Sequence, residues 1–308
     1  MRRSTGVLLV ALAAALWGTD ALFRKPLADT TPVATIVFGE HVVLAAITLP
    51  FLLPALAAVI GLGRRYVLAA VMIGAGASAL ATILFTQAFV DSANPVTPVV
   101  LQKVQPLIAV SLAAALLGER PRPRFGLFLV AGLAGTWLMA FPSPFEVSLH
   151  GLEPVLYALA AAALWALGTV LGRFLALELP FEQVTAVRFA FGLPASFIAL
   201  LLLGAPLRAS LHDELFIALL AIVTGLIALL LYYWGLKRTT ASVASLAELT
   251  FPVVAIAVGY FAFDTTLTST QLAGVVLTSL VVLGLPGRAF DLVRQRPPGA
   301  PALAGHSP

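Results

Sequence analysis

Apolar residues run along this chain in long blocks separated by short polar or turn-forming breaks. A membrane-spanning helix needs about 20 consecutive apolar residues. Ten segments meet that requirement, the tenth being short: residues 6–27, 33–59, 66–88, 95–117, 125–141, 152–175, 181–203, 215–236, 241–263 and 270–286. The connections leave no room for a soluble domain. The pattern predicts an all-α membrane protein with ten transmembrane helices.

Loop charge sets the expected orientation. With the N-terminus in the cytoplasm, thirteen of the eighteen Lys and Arg residues lie on the cytoplasmic side. Only Arg24, Lys25 and Arg208 lie on the other, while Lys103 and Arg188 fall inside spans. This bias predicts that both termini are cytoplasmic. The opening Met-Arg-Arg-Ser-Thr has the basic character of a signal peptide. Its apolar run continues past Trp17 and Asp20 to Leu27, so an uncleaved first helix is expected.

The chain also repeats itself. Ala-Ala-Ala-Leu16-Trp17-Gly returns as Ala-Ala-Ala-Leu164-Trp165-Ala 148 positions later, and Gln105-Pro106-Leu-Ile-Ala as Phe251-Pro252-Val-Val-Ala 146 positions later. Five helices per half is an odd number, so the second half enters the membrane inverted. This is the plan of secondary transporters, which bind solute near the midplane between the repeats. The expected divisions are residues 1–141 for the first repeat, 142–151 for a linker, 152–286 for the second repeat, and 287–308 for a disordered cytoplasmic tail. Pro106 and Pro252 mark the expected helix kinks, because proline lacks the N–H and crowds the carbonyl four residues earlier.

Composition narrows the function classes. The 308 residues are 60% hydrophobic and 10% charged, with a mean hydropathy of +1.03; soluble domains carry about 25% charged residues. There is no Cys and the four His are scattered, so neither a disulfide framework nor a metal site is expected. The pI near 9.8 reflects orienting loop charges, and no nucleic-acid partner is expected. No phosphate-binding glycine-rich loop is present, which argues against direct ATP drive. No HExxH pattern or nucleophile–base arrangement supports an enzyme, no catalytic residue is assigned, and no cofactor is expected.

The proline-centred fourth helix ending at Gly118-Glu119-Arg120, its copy from Ala241 through Pro252, and Arg188-Phe-Ala-Phe-Gly in the seventh helix together resemble the EamA repeat of the drug/metabolite transporter superfamily. The resemblance covers residues 6–286 and is nearest to the YddG-like branch of amino acid exporters. It implies export of aromatic or hydrophobic amino acids across the bacterial inner membrane by alternating access, by a monomer embedded in the lipid bilayer. Another small metabolite or a cationic drug is the alternative solute; a membrane-embedded enzyme or a channel is less favoured. Two departures are visible. Glu40-His41 stands where the second half has Arg188, and Asp264-Thr-Thr stands where the first has Gly118-Glu119, which leaves Glu119 only a loop role.

Charges inside spans single out the chemistry. A charge at the centre of a spanning helix costs roughly 2.5–3.5 kcal/mol on insertion scales, so Asp20, Glu40, Lys103, Arg188 and Glu248 should face a polar interior, with His41 beside them. Asp20 and Arg24 are spaced for an i,i+4 ion pair. Glu40 and His41, as neighbours, point about 100° apart and should not share one surface. Ser78, Thr82 and Thr86 form a polar stripe, either glue between helices or cavity wall. Aligning the prolines sets Glu248 opposite Gln102, with Ser245 one turn before it. Lys103 and Glu248 would suit the two ends of a zwitterion, or bridge to each other. Trp17, Trp165, Phe85 and Tyr157 could line an aromatic cavity. Tyr232-Tyr233-Trp234 reads as an interfacial belt from which one tyrosine reaches inward. The expected substrate-binding set is Trp17, Glu40, His41, Ser78, Thr82, Gln102, Lys103, Trp165, Arg188, Tyr232, Ser245 and Glu248.

Overall fold

A computed structural model describes residues 2–27, 30–91, 102, 104–141 and 152–294. Among these, nine helices are long and apolar enough to cross a membrane. In chain order they are α1 (Ser4–Leu27), α2 (Val33–Leu62), α3 (Arg64–Ala88), α5 (Pro123–Ala140), α6 (Glu153–Glu178), α7 (Phe181–Leu202), α8 (Leu211–Leu236), α9 (Ala241–Phe263) and α10 (Ser269–Pro286). Between α3 and α5 lies the shorter apolar helix α4 (Gln105–Leu117). The first part of the expected fourth span, and the linker at 142–151, lie outside the described residues. Helices dominate because, in hydrocarbon, each backbone polar group must be satisfied within its own segment.

Packing exchanges the two halves. α1 lies on α8 and α9 of the second half, and α6 lies on α3 and α4 of the first; α2 packs against α7, and α5 against α10. Small residues allow the closest approaches. A Cβ on Gly274 in α10 would stand 2.6 Å from the carbonyl oxygen of Gly135 in α5, and one on Gly135 would stand 2.3 Å from Thr278 Oγ1. The largest buried apolar cluster includes Val7, Tyr66, Leu175, Tyr233, Leu236 and Leu246. It fills the half of the bundle nearest the start of α1 and the close of α10, here termed the N/C end.

Several boundaries differ from the sequence expectation. α8 starts at Leu211 rather than 215, because Ser210 caps it, its hydroxyl accepting from Asp213 N at 3.2 Å. Thr31 Oγ1 also donates to the buried Asp213 carboxylate, at 3.0 Å, which lets an acid enter the first turn. The tail was expected from 287, yet the last helix runs Ser269–Leu292 through Pro286. It ends in a strand Val293–Arg294 (β2) antiparallel to Arg120–Pro121 (β1), with Arg120 opposite Arg294. Pairing with the α4–α5 connection gives this stretch backbone partners; residues 295–308 lie outside the described set.

In α9 the helix breaks before its proline. The ninth span is interrupted at Glu248 and Leu249, between helical runs Ala241–Ala247 and Thr250–Phe263. Glu248 is the residue four before Pro252, whose carbonyl the proline ring crowds. In α4, Pro106 is the second residue of the ordered helix. The ends of these helices also match. Gly118 and Asp264 both close their helices in the left-handed conformation, at φ 65° and 52°.

The α5–α10 contact can be tested by substitution. Gly274→Ala should lower stability by roughly 1–3 kcal/mol through overpacking, measured by thermal unfolding in detergent. Gly126→Ala, where nothing lies within 4 Å of the added Cβ, should be neutral or stabilising by up to about 1 kcal/mol.

Candidate functional site

The breaks in helix geometry converge on one cavity of about 720 Å³ between the two halves. Its lining runs from Trp165, Thr169 and Glu248, level with the middle of the bundle, to Asp20, Arg24, Lys25, Thr31 and Val33 at the end opposite the N/C end. α1 is interrupted at Thr19, whose hydroxyl donates to Leu16 O at 2.7 Å. α3 and α8 each contain a π-helical stretch, Met72–Leu80 and Ala221–Ile227, at corresponding places in the two repeats. π-turns disturb the regular carbonyl ladder and are frequent at functional sites. Here one carbonyl in each accepts from a cavity side chain: Ala77 O from Arg188 Nη2 at 3.2 Å, and Thr224 O from Trp17 Nε1 at 2.9 Å.

Two aromatic pairs form the walls. Trp17 meets Tyr232 with ring centroids 5.0 Å apart and planes at 54°; Phe85 meets Trp165 at 5.2 Å and 57°. Each pair joins the first helix of one repeat to the third helix of the other. Trp17 is held in orientation by its indole bond to Thr224. Tyr232 is held by hydroxyl bonds to Glu248 Oε1 at 2.6 Å and to Thr169 Oγ1 at 2.8 Å. Rings fixed in this way present stacking faces without losing side-chain entropy when a solute binds.

The charged residues fall into three groups. On α1 and α2, Arg24 Nε bonds Asp20 at 2.6 Å and Arg24 Nη2 bonds Glu40 at 3.1 Å. The i,i+4 pair anticipated from spacing is therefore a triad that ties α1 to α2. Between α2, α3 and α7, His41 Nδ1 faces Val37 O at 2.7 Å and Nε2 faces Ser78 Oγ at 3.0 Å. Arg188 donates to Ser78 Oγ at 3.2 Å and to Tyr233 Oη at 3.0 Å. At the break in α9, Glu248 accepts from Gln105 Nε2 at 2.8 Å, Thr169 Oγ1 at 3.2 Å and Tyr232 Oη. Among the described lining residues the three carboxylates Asp20, Glu40 and Glu248 stand with the three cations Arg24, Lys25 and Arg188. These described charges are formally balanced, which limits the desolvation cost of burying them within the membrane.

Of the twelve residues singled out from sequence, eleven line this cavity; Lys103 lies outside the described residues. Glu40 and His41 both reach it, against the expectation from their 100° offset. The cavity wraps around α2, so Glu40 turns to α1 and His41 to α3. Tyr157 is a correction as well, since it bonds Glu153 one turn earlier at 2.5 Å and is not part of the lining. Of the aromatic run, Tyr232 faces inward, Tyr233 is buried on Arg188, and Trp234 stays at the rim under Arg238, 4.9 Å from its ring. Thr82 and Thr86 line the wall while bonding carbonyls one turn back on their own helix, each at 2.8 Å. Lys25, Gln105, Thr169 and Thr224 were missed as site residues. Only Gln105 carried a signal, its place beside the repeated proline.

Glu119 was also underestimated. It is 2% exposed, and its carboxylate accepts from Ala241 N at 2.8 Å, Ser242 N at 2.9 Å and Ser242 Oγ at 2.6 Å. It thus caps the start of α9 from the end of α4. Around it the N/C end is packed shut: Arg173 donates to Leu236 O, Lys237 to Leu179 O at 3.3 Å, and a Cβ on Gly235 would lie 2.8 Å from Gly6 O.

The EamA-like transporter family matches residues 4–141 and 152–285. The chain belongs to that family and is a multi-pass membrane transporter with two family repeats. It is 29% identical over 287 residues to the riboflavin transporter ImpX of Fusobacterium nucleatum subsp. nucleatum, covering 90% of this chain and 96% of that one. A crystal structure with 21% sequence identity superposes with a TM-score of 0.71, over 94% of this chain and 99% of the other. That likeness shows the shared fold.

The Asp20–Arg24–Glu40 triad should behave as a coupled unit. Arg24→Gln should destabilise by roughly 1–3 kcal/mol, because it leaves two carboxylates facing each other. Arg24→Gln combined with Asp20→Asn should cost less than the sum of the two, with a coupling of about 0.5–3 kcal/mol in a double-mutant cycle of thermal unfolding.

Proposed function

We propose that this member of the EamA-like transporter family is a secondary carrier that binds a small aromatic metabolite in the central cavity and exposes it to one side of the membrane at a time. The observation that carries the reading is the cavity itself. It lies between the two repeats, and each first helix contributes one tryptophan to an aromatic pair. Its volume of about 720 Å³ falls within the roughly 300–1,000 Å³ of small-molecule sites. Inverted repeats allow the halves to exchange roles, which is the basis of alternating access.

For the solute, the favoured reading is a flavin-class molecule, a planar heteroaromatic ring with a polar tail. Arg24, Arg188, Asp20, Glu40 and Glu248 already bond each other or neighbouring hydroxyls, amides and carbonyls, Lys25 lies 3.9 Å over the Phe263 ring, and an uncharged ring system stacks on the aromatic walls without breaking those contacts. The relative named as a riboflavin transporter supports the same class. A second reading, export of an aromatic amino acid, is favoured by Glu248. Its carboxylate borders the cavity and can receive an ammonium. The loop charge bias supports cytoplasmic termini in a bacterial inner membrane. On that orientation the cavity reaches toward the outside, and transport is outward or equilibrative according to the gradient.

Uptake and efflux of labelled riboflavin and labelled tryptophan by proteoliposomes containing the purified chain discriminate between these readings. Saturable riboflavin flux not competed by tryptophan supports the flavin class, and the reverse result supports amino acid export. Flux of neither, with flux of a cationic drug, overturns both. For the solute that moves, Trp17→Ala or Trp165→Ala should raise KM about 3- to 10-fold, the loss expected for one aromatic contact. Unchanged kinetics in both variants would remove the aromatic walls from the site.

A further inference from the structure

The two repeats place the same backbone geometry at the ends of α4 and α9 but different side chains. Gly118 and Asp264, 146 positions apart, both hold the left-handed conformation. Each is followed by the same closing bond, Glu119 N to Ala113 O at 3.2 Å and Thr265 N to Gly259 O at 3.1 Å. At the N/C end the residue after Gly118 is Glu119, which caps α9 through three hydrogen bonds. A carboxylate against a helix N-terminus gains from both the orphan N–H groups and the helix dipole.

The same repeat offset puts Thr265 in the place of Glu119, and Pro95 and Val96 in the places of Ala241 and Ser242. Proline has no N–H and valine no hydroxyl. Of the three donors that Glu119 uses, one has a counterpart, and threonine brings no charge to it.

We infer that Glu119 is a one-sided latch: it positions α9 on α4 so that the N/C end of the carrier is held closed, while the repeat-related sequence, Thr265 with Pro95 and Val96, lacks the carboxylate and two of its three donors. This rests on the alternating-access reading above and holds whatever the solute. Opening the N/C end moves α9 away from α4 and breaks all three bonds. The resting carrier therefore favours the state whose cavity reaches the opposite end, and the bias comes from one side chain that the second repeat lacks.

The chain contains no native cysteine, so single-cysteine reporters test the latch directly in the full-length protein in detergent. Ala244→Cys places a thiol in the closed layer, where Ala244 is 0% exposed; Ala21→Cys places one on the cavity wall toward the other end. Adding Glu119→Gln should raise the ratio of maleimide labelling rates, Cys at 244 over Cys at 21, roughly tenfold, the population change expected for losing a charge-assisted hydrogen bond. Ser242→Ala removes one of the three bonds, and should shift the ratio in the same direction by less; it serves if Glu119→Gln fails to fold. An unchanged ratio in folded variants overturns the latch, as does a parallel rise at both positions, which marks general loosening. If the proteoliposome assay shows flux while the ratio stays fixed, only the latch fails. If no solute moves, the carrier reading falls and the latch with it.

Discussion

Backbone hydrogen bonding in a medium without water is the constraint from which this architecture follows. In lipid an unpaired N–H or C=O costs several kcal/mol, so irregular backbone survives only where protein or a polar cavity satisfies it. The interruptions obey that limit. The break at Thr19, the π-helical stretches of α3 and α8, and the gap at Glu248 and Leu249 all border the same cavity. The carbonyls of Ala77 and Thr224 show how the disturbed backbone is used, one bonding a guanidinium and the other an indole. Site and irregularity are thus one feature: places where the helix departs from regularity are the places that can be polar.

The charges follow the same economy. Arg24 is shared by two carboxylates, Arg188 is spread over a serine, a tyrosine and a carbonyl, and Glu248 is surrounded by three neutral donors. Each group has partners from more than one helix, so the polar contacts that make burial tolerable also hold the bundle together. The apolar cluster and the close glycine contacts complete the seal at the N/C end. The cavity is left to extend the other way, past the Trp17 and Tyr232 rings that hydrogen bonds hold in place.

Two family repeats organise the fold, and they match in backbone more than in side chains. Backbone features recur faithfully: left-handed closure at Gly118 and Asp264, and π-turns in α3 and α8. Side chains recur less. Glu40 on α2 corresponds to Arg188 on α7, one joined to α1 and the other to α3, and Glu119 corresponds to an uncharged threonine. A perfectly symmetric carrier would have no preferred side, so differences of this kind are what can set one.

Much of this was legible in the chain alone. Apolar block length fixes membrane-spanning helices because hydrocarbon thickness is a fixed distance, and the repeated Leu-Trp and proline segments disclosed two halves. Intramembrane charge marked most of the cavity, because a charge in lipid demands a polar surrounding wherever the helix lies. What remained hidden depended on which helices face one another. That the cavity wraps around α2 to take both Glu40 and His41, that Tyr157 turns away, and that Thr169 and Thr224 turn inward are decided by packing between segments far apart in sequence. Glu119 is the sharpest case. Its sequence context described a loop, and only the approach of α9, 122 residues further on, made it a cap. Periodicity and hydropathy are properties of one segment, whereas a hydrogen bond between two segments exists only once the tertiary fold has set their distance.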